Sequence, residues 1–298
     1  MPILSALSRL VKDPSPDYVF ELSEAGLAYS RPASPRGRET GFAAFEPGTL
    51  AVSPVADNIR KGDVLAAALE RVAPRGADAR KRSPAALILP DYAARVTVLE
   101  FDSLPATEEE QAALVRFRLK KSLPFDVEAA AVTHFVQPGG SKAGKTGTGK
   151  TEVVAVAVAL EVIARYEALF RGANFHPGEI TTSALVALQL YNASGAAVIA
   201  KLAGRVLTVM VVLEGSLKLF RCVELERAGE EEILSVLQPT IAYAEDALAS
   251  PDCTLVLCGF GAGALSALRQ ATSVLSSKLG TPDGGNAGLL GYLEGALN

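Results

Sequence analysis

Val132-Thr-His-Phe-Val-Gln137, then Gly139-Gly-Ser-Lys-Ala-Gly-Lys-Thr-Gly-Thr-Gly-Lys-Thr151, then Glu152-Val-Val-Ala-Val-Ala-Val-Ala159: how this stretch is read decides the fold. The middle piece satisfies the phosphate-loop pattern GxxxxGK[ST] twice, ending at Thr146 and again at Thr151. That pattern cradles phosphate only when a strand delivers the loop and a helix follows it, so that amides and the helix N-terminus converge on the ligand. Both flanks here alternate with the period of a strand, and the second is rich in β-branched residues with no helix cap. Two strands around a Gly/Lys/Thr tract predict a hairpin with a long tip, not a nucleotide-hydrolase loop.

Composition bounds the rest. The chain has 298 residues, 49% of them hydrophobic, with a net charge of −4. That is enough apolar matter for a large core or two smaller ones, and two lobes are expected. No apolar run reaches the roughly 18–20 residues that span a bilayer, and the N-terminus lacks a signal-peptide pattern, so an intracellular protein is expected. Cys222, Cys253 and Cys258 are odd in number and sit in apolar strand-like surroundings, which predicts reduced buried thiols. With only His134 and His176 beside them, no metal site is expected. The negative balance argues against nucleic acid as a partner; Arg71, Arg75, Arg80, Lys81 and Arg82 read as a solvated loop cluster. No catalytic residue emerges: His176 precedes Pro177 in a predicted loop, and no serine has a nucleophile-elbow setting.

Along the chain, Met1 to Lys12 spaces Ile3, Leu4, Leu7, Leu10 and Val11 as one face of a short helix, ended by Pro14 and Pro16. Residues 18–29 predict a hairpin turning at Ser23-Glu-Ala-Gly26, followed by a loop from Ser30 to Thr40. A helix is expected over 62–72, a buried strand over 85–90, an alternating strand over 95–101, and a helix from Thr107 to about Ser122 opened by a Thr107/Glu110 capping box. Helices near 161–170 and 183–191, strands over 197–201, 206–213 and 217–225, a helix near 230–249, a strand over 254–258 and a helix from the Gly259 to Gly263 turn to Leu279 complete the pattern. Strand–strand–strand–helix–strand thus occurs twice, at about 17–90 and 196–258, which points to an α/β protein of two lobes.

Leu104-Pro-Ala-Thr-Glu-Glu-Glu, followed by Leu114-Val-Arg-Phe-Arg-Leu-Lys-Lys-Ser-Leu-Pro-Phe-Asp-Val-Glu128, resembles the PilM-like type IV pilus assembly proteins, relatives of the cell-division protein FtsA in the actin-like superfamily. The likeness extends loosely through Leu89-Pro90, the Glu214 to Arg221 hairpin and Cys258-Gly-Phe-Gly-Ala. It implies a two-lobed actin-like ATPase fold with duplicated mixed sheets. The divisions expected are an N-terminal helix at 1–16, lobe one at 17–195 with a small inserted α+β subdomain at about 92–160, and lobe two at 196–298 with a C-terminal helix.

The resemblance also implies a nucleotide cleft, and there the chain departs from the family. Where the family has Asp-Ile-Gly on its first strand, this sequence has Glu21-Leu22-Ser23, and the second loop reads Lys201-Leu202-Ala203-Gly204 in place of Asp-x-Gly. An ammonium where a magnesium-directed carboxylate is expected reverses the local charge. Gly259 and Gly261 keep part of a third, glycine-rich turn. Glu21, Ser23, Lys201, Gly204, Gly259 and Gly261 are therefore the nucleotide-site candidates, with ATP and Mg2+ the cofactor the resemblance admits and degenerate motifs the reading.

The function implied is a non-catalytic cytoplasmic scaffold, peripheral to the inner membrane, which binds the cytoplasmic N-terminal peptide of a PilN-type membrane protein. Val96, Val98, Arg116, Lys120 and Lys121 are the expected partner-binding residues, and other platform proteins or a second copy are further partners. Two alternatives stand beside it: an active actin-fold ATPase or kinase, and the cytoplasmic platform protein of type II secretion. The latter family continues into a membrane helix, which this sequence, ending at Asn298, does not show.

Overall fold

A computed structural model describes residues 16–33, 37–73, 82–137, 150–191, 195–246, 253–260 and 286–297. Three sheets organise it. The first has the order β3-β2-β1-β4-β8, with β1 Tyr18–Ser23, β2 Gly26–Ala33, β3 Gly37–Ala44, β4 Ser83–Leu89 and β8 Phe175–Thr182. The second has the order β11-β10-β9-β12, with β9 Ala196–Ala203, β10 Val206–Leu213, β11 Ser216–Glu224 and β12 Thr254–Cys258. The third, β5-β7-β6, comprises β5 Arg95–Phe101, β6 Ala130–Val136 and β7 Thr151–Ala159. In the first two sheets an antiparallel three-stranded meander is followed by a strand parallel to its first member: β4 beside β1, and β12 beside β9. The predicted repeat is thus a repeat of topology.

The hairpin that replaces a phosphate loop is present. β6 and β7 pair antiparallel from Ala130↔Ala159 to Val136↔Val153, so the element after the Gly/Lys tract is a strand. Most of the tract itself, and the helix expected at 1–12, lie outside the described residues.

Sheet one is apolar on both faces, as period-2 alternation allows. On one face Phe20, Leu22, Leu27, Leu87 and Leu89 pack with Leu65 and Leu69 of α1 (Gly62–Val72) and with Tyr166 and Phe170 of α3 (Leu160–Gly172). On the other, Val19, Ala28, Ala86 and Ile88 pack with Val186 of α4 (Ser183–Ala187) and with Leu289 and Tyr292 of α6 (Ala287–Leu297). The last helix of the described residues therefore docks on the first sheet, while the C-terminal helix expected to run to Leu279 lies outside the described residues. α2 (Glu108–Leu119) lies on sheet three, burying Val115 and Leu119, and α5 (Glu230–Asp246) covers sheet two through Ile233, Val236 and Leu237. At the start of α2, Thr107 accepts from the Glu110 amide at 3.3 Å as the N-cap, and its hydroxyl donates to the Glu110 carboxylate at 2.8 Å, so the expected pair meets through the two side chains and not through the Thr107 amide.

Two further expectations change. Residues 30–33 and 37–40 are strand where a loop was expected: β2 continues to Ala33 and pairs with β3 through Pro32↔Arg38. β1 pairs β2 only as far as Ser30, so Pro32 lies past the third strand and removes no donor from that ladder. Arg31 then bridges to Glu39 at 2.9 Å across the pair. His176, expected in a loop, is an exposed residue of β8.

The seat of α6 depends on glycine. A Cβ at Gly291 would lie 2.1 Å from the Val186 carbonyl oxygen, whereas one at Gly295 would meet only the Gln189 side chain, at 3.4 Å. Helix propensity alone favours Gly→Ala at both by up to about 1 kcal/mol. Packing decides between them: Gly291→Ala should destabilise by about 1–3 kcal/mol, because backbone must move, while Gly295→Ala should be neutral or stabilising. Chemical denaturation of both variants checks this, and equal effects would mean that α6 is not seated as described.

Candidate functional site

The ends of β1, β4 and β9 meet around a small cavity between sheets one and two. β4 ends at Leu89-Pro90, and a 3-10 turn, Asp91–Ala93, presents the Asp91 carboxylate toward sheet two. Asp91 Oδ2 accepts from Lys201 Nζ of β9 at 2.8 Å and from the Thr208 hydroxyl of β10 at 3.2 Å. Its Oδ1 accepts the Ala184 amide of α4 at 2.6 Å. One carboxylate thus ties sheet two to an element packed on sheet one. Both partners of the ion pair are sequestered, with side chains 3% and 1% exposed for Lys201 and Asp91.

Glu21 lies beside this pair. Its oxygens accept the amides of Gly288 at 3.2 Å and Leu289 at 2.8 Å, in the first turn of α6, and a hydrogen bond donated by the Ser183 hydroxyl. A carboxylate at a helix N-terminus satisfies unpaired amides and complements the helix dipole. Burial pushes the Glu21 carboxyl above its ordinary range, with the Lys201 charge and the Ser183 hydrogen bond opposing it. For Lys201, burial works to lower the ammonium pKa, but the charges of Asp91 and Glu21 outweigh it and hold the value above that of an ordinary lysine.

The register of sheet two extends the polar ground. Cys222, Thr208, Lys201 and Cys258 stand opposite one another across β11, β10, β9 and β12, so they share a face. Burial raises the Cys258 thiol to about 11, and burial followed by the Asp91 charge raises Cys222 to about 12. Both are thiols, not thiolates, at neutral pH. Cys253 is half-buried, its thiol likewise raised by burial, and none of the three forms a disulfide.

A cavity of about 30 Å³ remains, lined by Glu21, Ser23, Glu24, Asp91, Ser183 and Lys201 among others. By volume it holds about two waters. Ser23 lines it, yet its hydroxyl is engaged in the β1–β2 turn, donating to the Gly26 carbonyl at 3.1 Å and accepting its amide at 3.2 Å. Gly204, with φ +60°, makes the β9–β10 turn, and Gly259, with φ +77°, follows β12, both in the left-handed region that glycine favours. Gly261 lies outside the described residues. The structure brings Glu21, Ser23 and Lys201 together, while sequence reasoning missed Asp91 and Ser183. Asp91 left one signal, a carboxylate immediately after a wholly apolar strand.

The expected partner-binding residues separate. Val96 is 8% exposed and packs with Val98 into the core shared by sheet three, α4 and sheet two, so neither lines an open groove. Arg116 donates to the carbonyls of Val127 and Ala130 at 3.1 and 3.4 Å, holding α2 to the start of β6. Lys120 and Lys121 are exposed, as is Phe117, at 71%. A second bridge joins sheets three and two: the buried Gln137 amide donates to the Leu217 carbonyl and accepts its amide, both at 2.7 Å, while Lys218 pairs with Glu152 at 2.7 Å.

No family model and no curated protein matches this sequence. Solved structures do. The "PilM-PilN type IV pilus biogenesis complex" superposes with a TM-score of 0.65 at 15% identity, over 95% of this chain and 99% of that one. A Bacteroides thetaiotaomicron protein with an actin-like ATPase fold and unknown function gives 0.56 at 14% identity, over 94% and 96%. The cytoplasmic domain of EpsL, an inner-membrane component of the Vibrio cholerae type II secretion system, reaches 0.48 at 12% identity over 80% of each chain, too low to carry an argument. The chain has the actin-like ATPase fold and is PilM-like in that fold.

Lys201→Met should cost about 3–5 kcal/mol, because it leaves Asp91 buried without its cation. The double variant Lys201→Met/Asp91→Leu should recover much of the loss, and urea denaturation of the full cycle measures the coupling. Glu21 gives a pH signature. A carboxyl whose folded pKa is raised binds its proton more tightly in the folded state, so its contribution falls as pH rises from about 4.5 through the folded value. Wild type should therefore lose stability relative to Glu21→Gln across that window; a pH-independent difference would overturn the assignment.

Proposed function

We propose that this chain is a non-catalytic scaffold of a type IV pilus assembly platform, and that it captures the cytoplasmic N-terminal segment of a PilN-type membrane protein. The observation that carries this reading is the likeness over essentially the whole chain to PilM as solved with PilN. The engagement of Glu21 and Asp91 within the chain supports a structural role for the cleft over an ATPase one. Among the described residues no helix is long and apolar enough to cross a membrane. We place the protein on the cytoplasmic side of the inner membrane, held there through its partner.

The sheet arrangement supports the two-lobe division at 17–195 and 196–298, with residues 92–160 as the inserted subdomain and α6 reassigned to lobe one. The docking face we assign is on that subdomain. Phe117, Lys120 and Lys121 are spaced i, i+3, i+4, which puts an exposed aromatic and two ammonium groups on one side of α2 and the turn after it. α2 packs beside β6, whose outer edge is unpaired in the described sheet. An aromatic anchor, a basic rim and a free strand edge suit an extended or helical peptide with apolar anchors and acidic flanks.

Affinity capture tests this, with the purified chain as bait against a membrane extract of its source organism. A single-span membrane protein held through its cytoplasmic N-terminal segment is the expected catch. Phe117→Ala should reduce recovery about tenfold, the effect of losing one interface anchor, while leaving stability within about 0.5 kcal/mol, as for other exposed positions. Failure to recover such a protein overturns the partner; recovery indifferent to Phe117→Ala moves the docking face elsewhere.

A further inference from the structure

The amides of Gly288, Leu289 and Ala184, the hydroxyls of Ser183 and Thr208 and the Lys201 ammonium converge on two carboxylates, Glu21 and Asp91. Backbone amides in the first turn of an 11-residue helix, hydroxyls and a buried cation together make the constellation that binds oxyanions. Glu21 is 2% exposed and Lys201 3%, so bulk anions have no access to these donors while the carboxylates are in place. The cavity of about 30 Å³ that remains abuts Glu21, Asp91, Ser183 and Lys201.

We infer that the cleft is a built oxyanion site kept permanently filled by the chain's own carboxylates. Glu21 and Asp91 stand where the anionic groups of a ligand would bind, so the wild-type protein takes neither phosphate nor nucleotide there. Removing the Glu21 side chain turns it into a phosphate receptor. Glu21→Ala deletes four heavy atoms, two of them anionic oxygens, beside the existing cavity. It leaves Gly288, Leu289 and Ser183 as buried donors without an acceptor, which is costly until an anion satisfies them. Inorganic phosphate, with five heavy atoms and four acceptor oxygens, matches that vacancy in size and returns the acceptors those donors lose, with Asp91 and Glu24 the carboxylates it would face. Glu21→Gln keeps the shape and one carbonyl acceptor, so the site stays filled. The inference holds whichever partner the surface takes.

The test uses the full chain and three proteins, wild type, Glu21→Ala and Glu21→Gln, titrated with inorganic phosphate against sodium chloride of equal ionic strength, and with ATP. Wild type and Glu21→Gln should give no binding heat with either ligand and should share one small, nonspecific change of melting temperature. Glu21→Ala should melt lower in chloride and rise beyond that common change with the logarithm of phosphate concentration, as a native-state ligand requires. If Glu21→Ala does not fold in chloride, the fraction recovered on refolding should increase with phosphate. Saturable phosphate or ATP binding by wild type overturns the inference. So does a Glu21→Ala protein whose melting or refolding is indifferent to phosphate.

Discussion

The contact between Asp91 and Lys201 sets the terms for the rest of the molecule. Burying either charge alone would be prohibitive, and burying both is tolerable only where geometry and further hydrogen bonds complete the pair. The fold supplies them: an amide of α4 and a hydroxyl of β10 take the remaining capacity of the carboxylate. Because the carboxylate follows β4 and the ammonium stands on β9, the pair is satisfied only when sheets one and two approach at one distance and angle. Apolar surfaces tolerate small slides; a shared ion pair with fixed donors does not.

Gln137 performs the same service at another corner. Its side-chain amide substitutes for a residue of a neighbouring strand, pairing with both backbone groups of Leu217 where the β10–β11 ladder changes register. Sheet three is thereby fixed to sheet two at one end, while α2 covers its other face. The result is a body whose three sheets are joined by polar bridges buried within apolar contacts, which favours a single arrangement over many similar ones.

Local structure was legible wherever one segment carries its own pattern. The alternation of β6 and β7 excluded a phosphate loop, and the Thr107/Glu110 spacing located the start of α2. The first sheet was legible up to Ser30, where two prolines and three arginines suggested a loop. There Arg31 and Arg38 serve cross-strand contacts, to Glu39 and Ser30, and Pro32 sits where no third strand needs its N–H. Asp91 was not legible, because Ala184, Lys201 and Thr208 lie about a hundred positions away and no local periodicity encodes that distance. Val96 and Val98 were read as groove residues because the resemblance implies a peptide groove and their strand alternates. Alternation says that a face is apolar but not which element covers it, and here sheet two does.

The docking of α6 on the first sheet has a consequence for biosynthesis. Val19 and Ala28 on the outer face of β1 and β2, and the carboxylate of Glu21, find their cover in residues 268 positions further along the chain. A ribosome adding residues one at a time releases the opening strands long before that cover exists. Sheet one must therefore wait half-clothed while the other two sheets are made, exposing an apolar surface to chaperones or to aggregation. The first strands synthesised are among the last to be finished, and a message truncated near its 3′ end would damage the beginning of the protein.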